Sequence, residues 1–164
     1  MSIYLTHIAL HVNDLDACLE FYIEFAKLHV VKDRRPNGPT GKRIVWLAHQ
    51  SKELQFIIIL LPGGPGRNQR ADDFSHLGFA MESKESVDYI ALKAANQGIL
   101  AWPCKQEPYP VGYYCGVRDP DGNFVEFSYG QPLGPGAEEI VSDQTSHPDT
   151  LPSNPLYNKI FKDS

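Results

Sequence analysis

The sequence predicts an α+β fold of two paired βαβββ modules, joined into a curved mixed sheet with a concave trough on one face and helices on the outer one. Three observations carry this. A β-prone stretch followed by an amphipathic helical pattern occurs twice, with His7 and His76 in equivalent places at an offset of 69 residues. A Gly/Pro break, Pro62-Gly-Gly-Pro-Gly66, separates the two passes. The second pass closes on Gly116-Val-Arg-Asp-Pro-Asp-Gly-Asn-Phe-Val-Glu-Phe-Ser-Tyr129, in which Asp119–Gly122 is a dense turn signal between two β-prone arms. Proline presets φ and glycine accepts positive φ, so this stretch reads as a hairpin.

In the first module, residues 4–12 alternate as a strand, with Leu5, Ile8, Leu10 and Val12 mostly on one face and His7, Ala9 and His11 on the other. Asn13 or Asp14 caps a helix whose apolar stripe is Leu15, Cys18, Leu19, Tyr22, Ile23 and Ala26. A short strand near 28–33 follows, then a Gly/Pro-rich loop, then strands at about 43–49 and 53–61. In the second module, residues 76–81 form a strand with Leu77, Phe79 and Met81 on one face and His76, Gly78 and Ala80 on the other. Ser83 caps a helix with the stripe Val87, Ile90, Ala91 and Ala94, which Gly98 stops. A strand near 99–104 and the hairpin complete the unit.

The chain has 164 residues, about one domain by length, with 15 Lys and Arg against 20 Asp and Glu. The net charge of −5 and the lack of a basic stripe argue against nucleic acid as a partner. Cys18, Cys104 and Cys115 have neither metal spacing nor a disulfide framework, which points to a reducing cytoplasm. Met1-Ser-Ile-Tyr has no basic n-region, and the longest apolar run, Phe56 to Leu61, is too short for a membrane span. The expectation is a soluble cytoplasmic protein with no membrane partner.

In the second arm of the hairpin, alternation sets Phe124, Glu126 and Ser128 opposite the core-facing Val125, Phe127 and Tyr129. Glu126 therefore leaves mid-strand on the trough side, where a metal or another cation would neutralise it. Aligning the last strands of the two modules at an offset of 71 matches Gln55 with Glu126. Each module then offers a histidine from its first strand and Gln or Glu from its last. Two histidines and a carboxylate suit Fe(II), Mn(II), Ni(II) or Zn(II) with open positions, and Gln55 could add a neutral oxygen.

Thr6-His-Ile-Ala-Leu-His-Val-Asn-Asp-Leu-Asp16 with Phe21-Tyr22, the strand Ser75–Ala80, and Asp119-Pro-Asp-Gly-Asn-Phe-Val-Glu126 together resemble the vicinal oxygen chelate superfamily. That group includes glyoxalase I, fosfomycin- and bleomycin-resistance proteins, methylmalonyl-CoA epimerase and extradiol dioxygenases. The resemblance covers about residues 3–130 as a single domain, with modules at about 3–61 and 75–130. It implies a homodimer and metal ligands at His7, Gln55, His76 and Glu126. One divalent ion per site would act on a small molecule with adjacent oxygens, as a lyase/isomerase or a ring-cleaving dioxygenase. A fosfomycin-type transferase and a metal-free sequestering protein of the bleomycin-resistance kind are the alternatives. Glutamine at position 55, where glyoxalase I usually has a carboxylate, weakens a glyoxalase reading; the His, Gln, His, Glu set is similar to that of the epimerase.

Glu126 is the mapped carboxylate for proton transfer, and His11 is a candidate acid or base on the same face as His7. Tyr113 is expected to line the trough if Cys115 pairs with Glu126, and a one-residue slip would substitute Tyr114 and Gly116. Arg67 and Arg70 are candidates for an anionic substrate group, and Trp46 and Trp102 read as core or interface aromatics. Residues 131–164 read as an extended tail with a short anchor, Leu156–Phe161, that docks on the body or on a partner subunit.

Overall fold

The computed structural model describes residues 5–35, 42–49, 56–67 and 69–131. The element order is β1 (His7–Val12), α1 (Leu15–Glu24), β2 (His29–Arg34), β3 (Ile44–Ala48), β4 (Ile57–Pro62), β5 (His76–Ala80), α2 (Lys84–Asn96), β6 (Leu100–Glu107), β7 (Gly112–Arg118) and β8 (Phe124–Tyr129). These make two four-stranded mixed sheets with two helices, in the orders β1-β4-β3-β2 and β5-β8-β7-β6. The βαβββ order read from the sequence is thus present twice. The chain divides into two compact units, residues 1–76 with 118–124, and 77–117 with 125–164.

In the first unit, β1 runs parallel to β4, and β4-β3-β2 are antiparallel. Val45, Leu47, Ile58 and Leu60 are 0–4 % exposed and form the helix-side face of this sheet. Asp14 caps α1 by accepting from the Ala17 backbone N–H at 3.0 Å. The buried side of α1 comprises Leu15, Cys18, Phe21 and Tyr22, continued by Phe25, whereas Ile23 is exposed. The stripe is therefore rotated from the predicted one. Phe21 stacks on Phe25 with centroids 4.9 Å apart and meets Tyr22 edge-on at 5.2 Å, so a block of aromatic area decides which face goes inward.

The tip of the Asp119–Gly122 turn belongs to this unit. Asp119 accepts from the backbone N–H groups of Asp121 and Asn123, from Asn123 Nδ2 and from the Tyr22 hydroxyl, the last at 2.9 Å. Asp121 accepts from the Asn13 backbone N–H at 2.6 Å, and its carbonyl accepts from the Arg67 N–H. Gln69, buried in the linker, accepts from the Phe124 N–H and donates to the carbonyls of Asp73 and Ser75. The hairpin turn is thus a buried polar hub that orders α1 and the linker together.

Burial and the nearby carboxylates Asp119 and Asp121 push the Cys18 thiol up to about 12, and burial followed by Asp119 holds the Tyr22 phenol well above its usual range. Burial also pushes the Cys115 thiol up to about 12. These groups stay protonated in the fold at pH values where the unfolded chain ionises. Their stabilisation is complete below the unfolded values, near 9 for the thiols and 10 for the phenol, and is lost as pH rises toward the folded ones. The unfolding free energy from urea titration is expected to fall by up to about 1.4 kcal/mol per pH unit for each thiol above pH 9 and for the phenol above pH 10, and less steeply above pH 10 in Tyr22→Phe.

Close approach fixes Gly64: a Cβ there would collide with the His11 carbonyl on β1, and its N–H already donates to the Val12 carbonyl at 3.0 Å. Because the obstacle is strand backbone, Gly64→Ala is expected to cost roughly 1–3 kcal/mol, read from the urea midpoint.

In the second unit, Cys115, Val117, Val125 and Phe127 are fully buried on the helix side. Val87, Ile90, Ala91 and Ala94 form the buried stripe of α2, as the spacing predicts. Ser83 accepts from the Ser86 N–H, and Gly98 at φ 71° ends the helix. Phe79 stacks on Phe127 at 5.7 Å. No helix among the described residues is long and apolar enough to cross a membrane.

Candidate metal centre

β5 and β8 are hydrogen-bonded neighbours, so His76 and Glu126 stand on adjacent strands of one sheet. The His76 Nδ1 lies 2.7 Å from the Phe74 carbonyl oxygen. A carbonyl only accepts, so Nδ1 carries a proton, and the neutral ring compatible with this bond has its lone pair on Nε2, the tautomer that a metal-ligating imidazole needs. Glu126 is 6 % exposed, and its Oε1 accepts from Gln131 Nε2 at 2.9 Å. His7 opens β1 in the other sheet and is exposed, with its Nδ1 3.0 Å from the Thr6 hydroxyl. In donor type and tautomer these residues fit a borderline divalent ion.

Space is left beside them. Around the position a Cβ would take on Gly78, no atom of the described residues beyond its chain neighbours lies within 4 Å, and Gly78 does not have positive φ. Neither packing nor backbone conformation requires glycine there; it keeps the face of β5 beyond His76 open.

The hairpin register differs by one residue from the predicted pairing. Asp119 N–H donates to the Asn123 carbonyl, and the missing Gly112 side chain faces Tyr129 and Gly130. Gly116 therefore stands opposite Glu126, and Tyr114 opposite Ser128. Tyr113 points the other way, donating to Asp88 of α2 at 2.6 Å, so it does not share the face of Glu126. Trp102, paired with Gly116, lays its ring where a Gly116 Cβ would go, which brings the indole onto the Glu126 face.

Gln55 lies outside the described residues, but the strand it was aligned on starts later than predicted, at Ile57. β4 and β8 each have six residues and each runs into a glycine with positive φ, Gly63 and Gly130. Matched this way, the counterpart of Glu126 is Ile59, an apolar residue. Arg67 and Arg70 pair with Asp73 and Asp72, which occupies both guanidinium groups. His11 is exposed and two same-face positions beyond His7, about 13 Å by strand rise. Among the described residues of one chain, no three His, Cys, Asp or Glu side chains form a group able to hold a metal.

Comparison with known proteins fits this architecture. Residues 4–127 match the family model described as the glyoxalase/bleomycin resistance protein/dioxygenase superfamily. The chain is 55 % identical over 140 residues to the uncharacterised Pseudomonas aeruginosa protein PA2024, covering 85 % of this chain and 98 % of that one. Trypanothione-dependent glyoxalase I from Leishmania major superposes with a TM-score of 0.60 at 19 % identity, over 88 % of this chain and 99 % of that one. A point mutant of the fosfomycin resistance protein FosX from Listeria monocytogenes, solved with Mn(II) and 1S,2S-dihydroxypropylphosphonic acid, superposes with a TM-score of 0.59 at 20 % identity, over 80 % of this chain and 95 % of that one. The two repeats, the Asp-Pro-Asp-Gly hairpin and the family match over most of the chain lead to one assignment: the protein belongs to the glyoxalase/bleomycin resistance protein/dioxygenase superfamily.

Proposed function

We propose that the protein is a divalent-metal enzyme acting on a small molecule with two adjacent oxygens, its ion held by His7, His76 and Glu126. The observation that carries this reading is the His76 tautomer, fixed by the Phe74 carbonyl, on the strand next to a buried glutamate. Gln55 lies outside the described residues and is left out of the proposed set, since matching the strand ends gives Ile59 as the counterpart of Glu126. The working unit is a homodimer, in which His7 of one copy completes the set with His76 and Glu126 of the other.

When bound, the ion supplies Lewis acidity that stabilises negative charge on the substrate oxygens. Gln131 orients the Glu126 carboxylate through Oε1, and Glu126 takes or returns the proton when the reaction moves one. His11 stands too far along β1 to reach a group held at His7, so it has no part in proton transfer at the ion. Trp102 limits water on the Glu126 face. A three-ligand set with one carboxylate suits ring-cleaving oxygenation or a fosfomycin-type opening reaction as well as isomerisation.

Metal analysis of protein purified without chelator is expected to find one Fe, Mn, Ni or Zn ion per chain. Oxygen uptake with catechols then separates dioxygenase from isomerase chemistry. A chain that takes up none of the four ions on titration refutes the enzymatic reading and leaves a metal-free sequestering role.

A further inference from the structure

Within the first unit, the sheet face turned away from α1 carries a chemistry that no metal requires. On β4, Ile57, Ile59 and Leu61 share this face, and all three are half-buried rather than packed away like Ile58 and Leu60. Trp46 pairs with Ile59 and is likewise half-buried, so it belongs to this wall and not to the core. One end of the wall is basic. His11 pairs with Leu61 at that end of β1, and Arg34 of β2 pairs with Ile44 of β3. Lys42 approaches from the start of β3: its Nζ lies 2.5 Å, and His11 Nε2 4.0 Å, from where a Gly63 Cβ would stand.

Gly63, at φ 92°, thus leaves the room into which the Lys42 amine and the His11 ring reach. Arg43, the neighbour of Lys42, faces the opposite side and is consumed by Asp33 and Asp16. By contrast, among the described residues Lys42, His11 and Arg34 have no ion pair, and strand alternation puts no described carboxylate on their face. Basic groups gathered at the edge of an apolar wall, with no anion of the described residues among them, are complementary to an anionic ligand with an apolar body.

We infer that this face binds the substrate's far end, and that the substrate class is an elongated amphipathic anion. Its apolar middle lies along Ile59 and Trp46, and its carboxylate, phosphate or phosphonate is held by Lys42 with His11. The inference rests on the metal reading only for the other end of the molecule. The strand distance of about 13 Å between His7 and His11 sets the separation between the metal-bound oxygens and the anionic group. A phosphonate of three carbons does not span it, which disfavours fosfomycin itself as substrate.

The test uses octanoate, 1-octanol and inorganic phosphate as probes, with tryptophan fluorescence as readout and Trp46→Phe to assign the signal. Octanoate is expected to bind saturably, more tightly than either other probe, with affinity reduced about tenfold or more in Lys42→Met and restored in Lys42→Arg. Because Lys42 is exposed, an unchanged urea midpoint shows that Lys42→Met still folds. Octanol binding as tightly as octanoate, octanoate affinity unaffected by Lys42→Met, or a concentration-dependent blue shift of Trp46 without octanoate binding, as when a second copy covers the face, overturns the inference. Metal is assayed in parallel. Lys42-dependent octanoate binding by a chain that takes up no metal refutes the metal reading alone.

Discussion

Glu126→Gln is expected to lower Mn(II) affinity by more than about 100-fold, beyond the 10- to 100-fold typical of losing a group that merely supports a ligand. The substitution keeps shape and volume at a site only 6 % exposed, and the new amide can still meet Gln131. The metal-free melting temperature should therefore change little, whereas the rise that Mn(II) produces in the wild type should vanish. Mn(II) titration followed by electron paramagnetic resonance reads the affinity, and thermal scans with and without metal read the linkage. Unaltered affinity would remove Glu126 from the ligand set.

Asp119→Ala is expected to be among the most damaging single changes, at about 3–5 kcal/mol. The carboxylate satisfies two backbone N–H groups, a side-chain amide and the Tyr22 hydroxyl, and it is 4 % exposed. Its removal leaves several buried donors without an acceptor. At a few degrees per kcal/mol for a domain of this size, the melting temperature should drop by about 10 °C or more. Tyr22→Phe removes one donor together with its need and should cost only about 1 kcal/mol. The two residues touch, so the double variant should lose less than the sum of the single losses. Urea unfolding of all three resolves this, and strict additivity would contradict the hub.

Much of this arrangement is legible in the chain itself. Alternation around His7, His76 and Glu126 fixes which face each leaves from, and the 69-residue offset reveals the repeat. The α2 stripe follows directly from Val87, Ile90, Ala91 and Ala94. Register is where legibility ends. Counting back across a variable loop matches Gln55 with Glu126, whereas strand ends anchored on Gly63 and Gly130 match Ile59. A hairpin one residue out exchanges Tyr113 for Tyr114, since a single slip reverses every side chain.

The polar hub was half legible. Asp119 and Asp121 read as turn formers, but Tyr22 in a buried stripe already demands a partner for its hydroxyl, and that demand points to a distant acceptor. Gln69 gave no such signal, lying in a Gly/Pro-rich linker where polar residues are ordinary. The basic end of the first sheet was hidden for a different reason. Lys42 precedes its strand, and a bulge between Val30 and Lys32 shifts β2, so the faces of Lys42 and Arg34 emerge only once the strands are paired.

The most direct test is complementation between two defective chains. His7→Ala and Glu126→Ala are each expected to bind no Mn(II) alone. Unfolded together and refolded as a mixture, they should regain about a quarter of the wild-type sites, since half of randomly paired dimers are mixed and each restores one of its two sites. Full retention of metal by either variant alone, or a mixture of folded dimers that recovers none, would contradict an ion held by His7 of one copy with His76 and Glu126 of another.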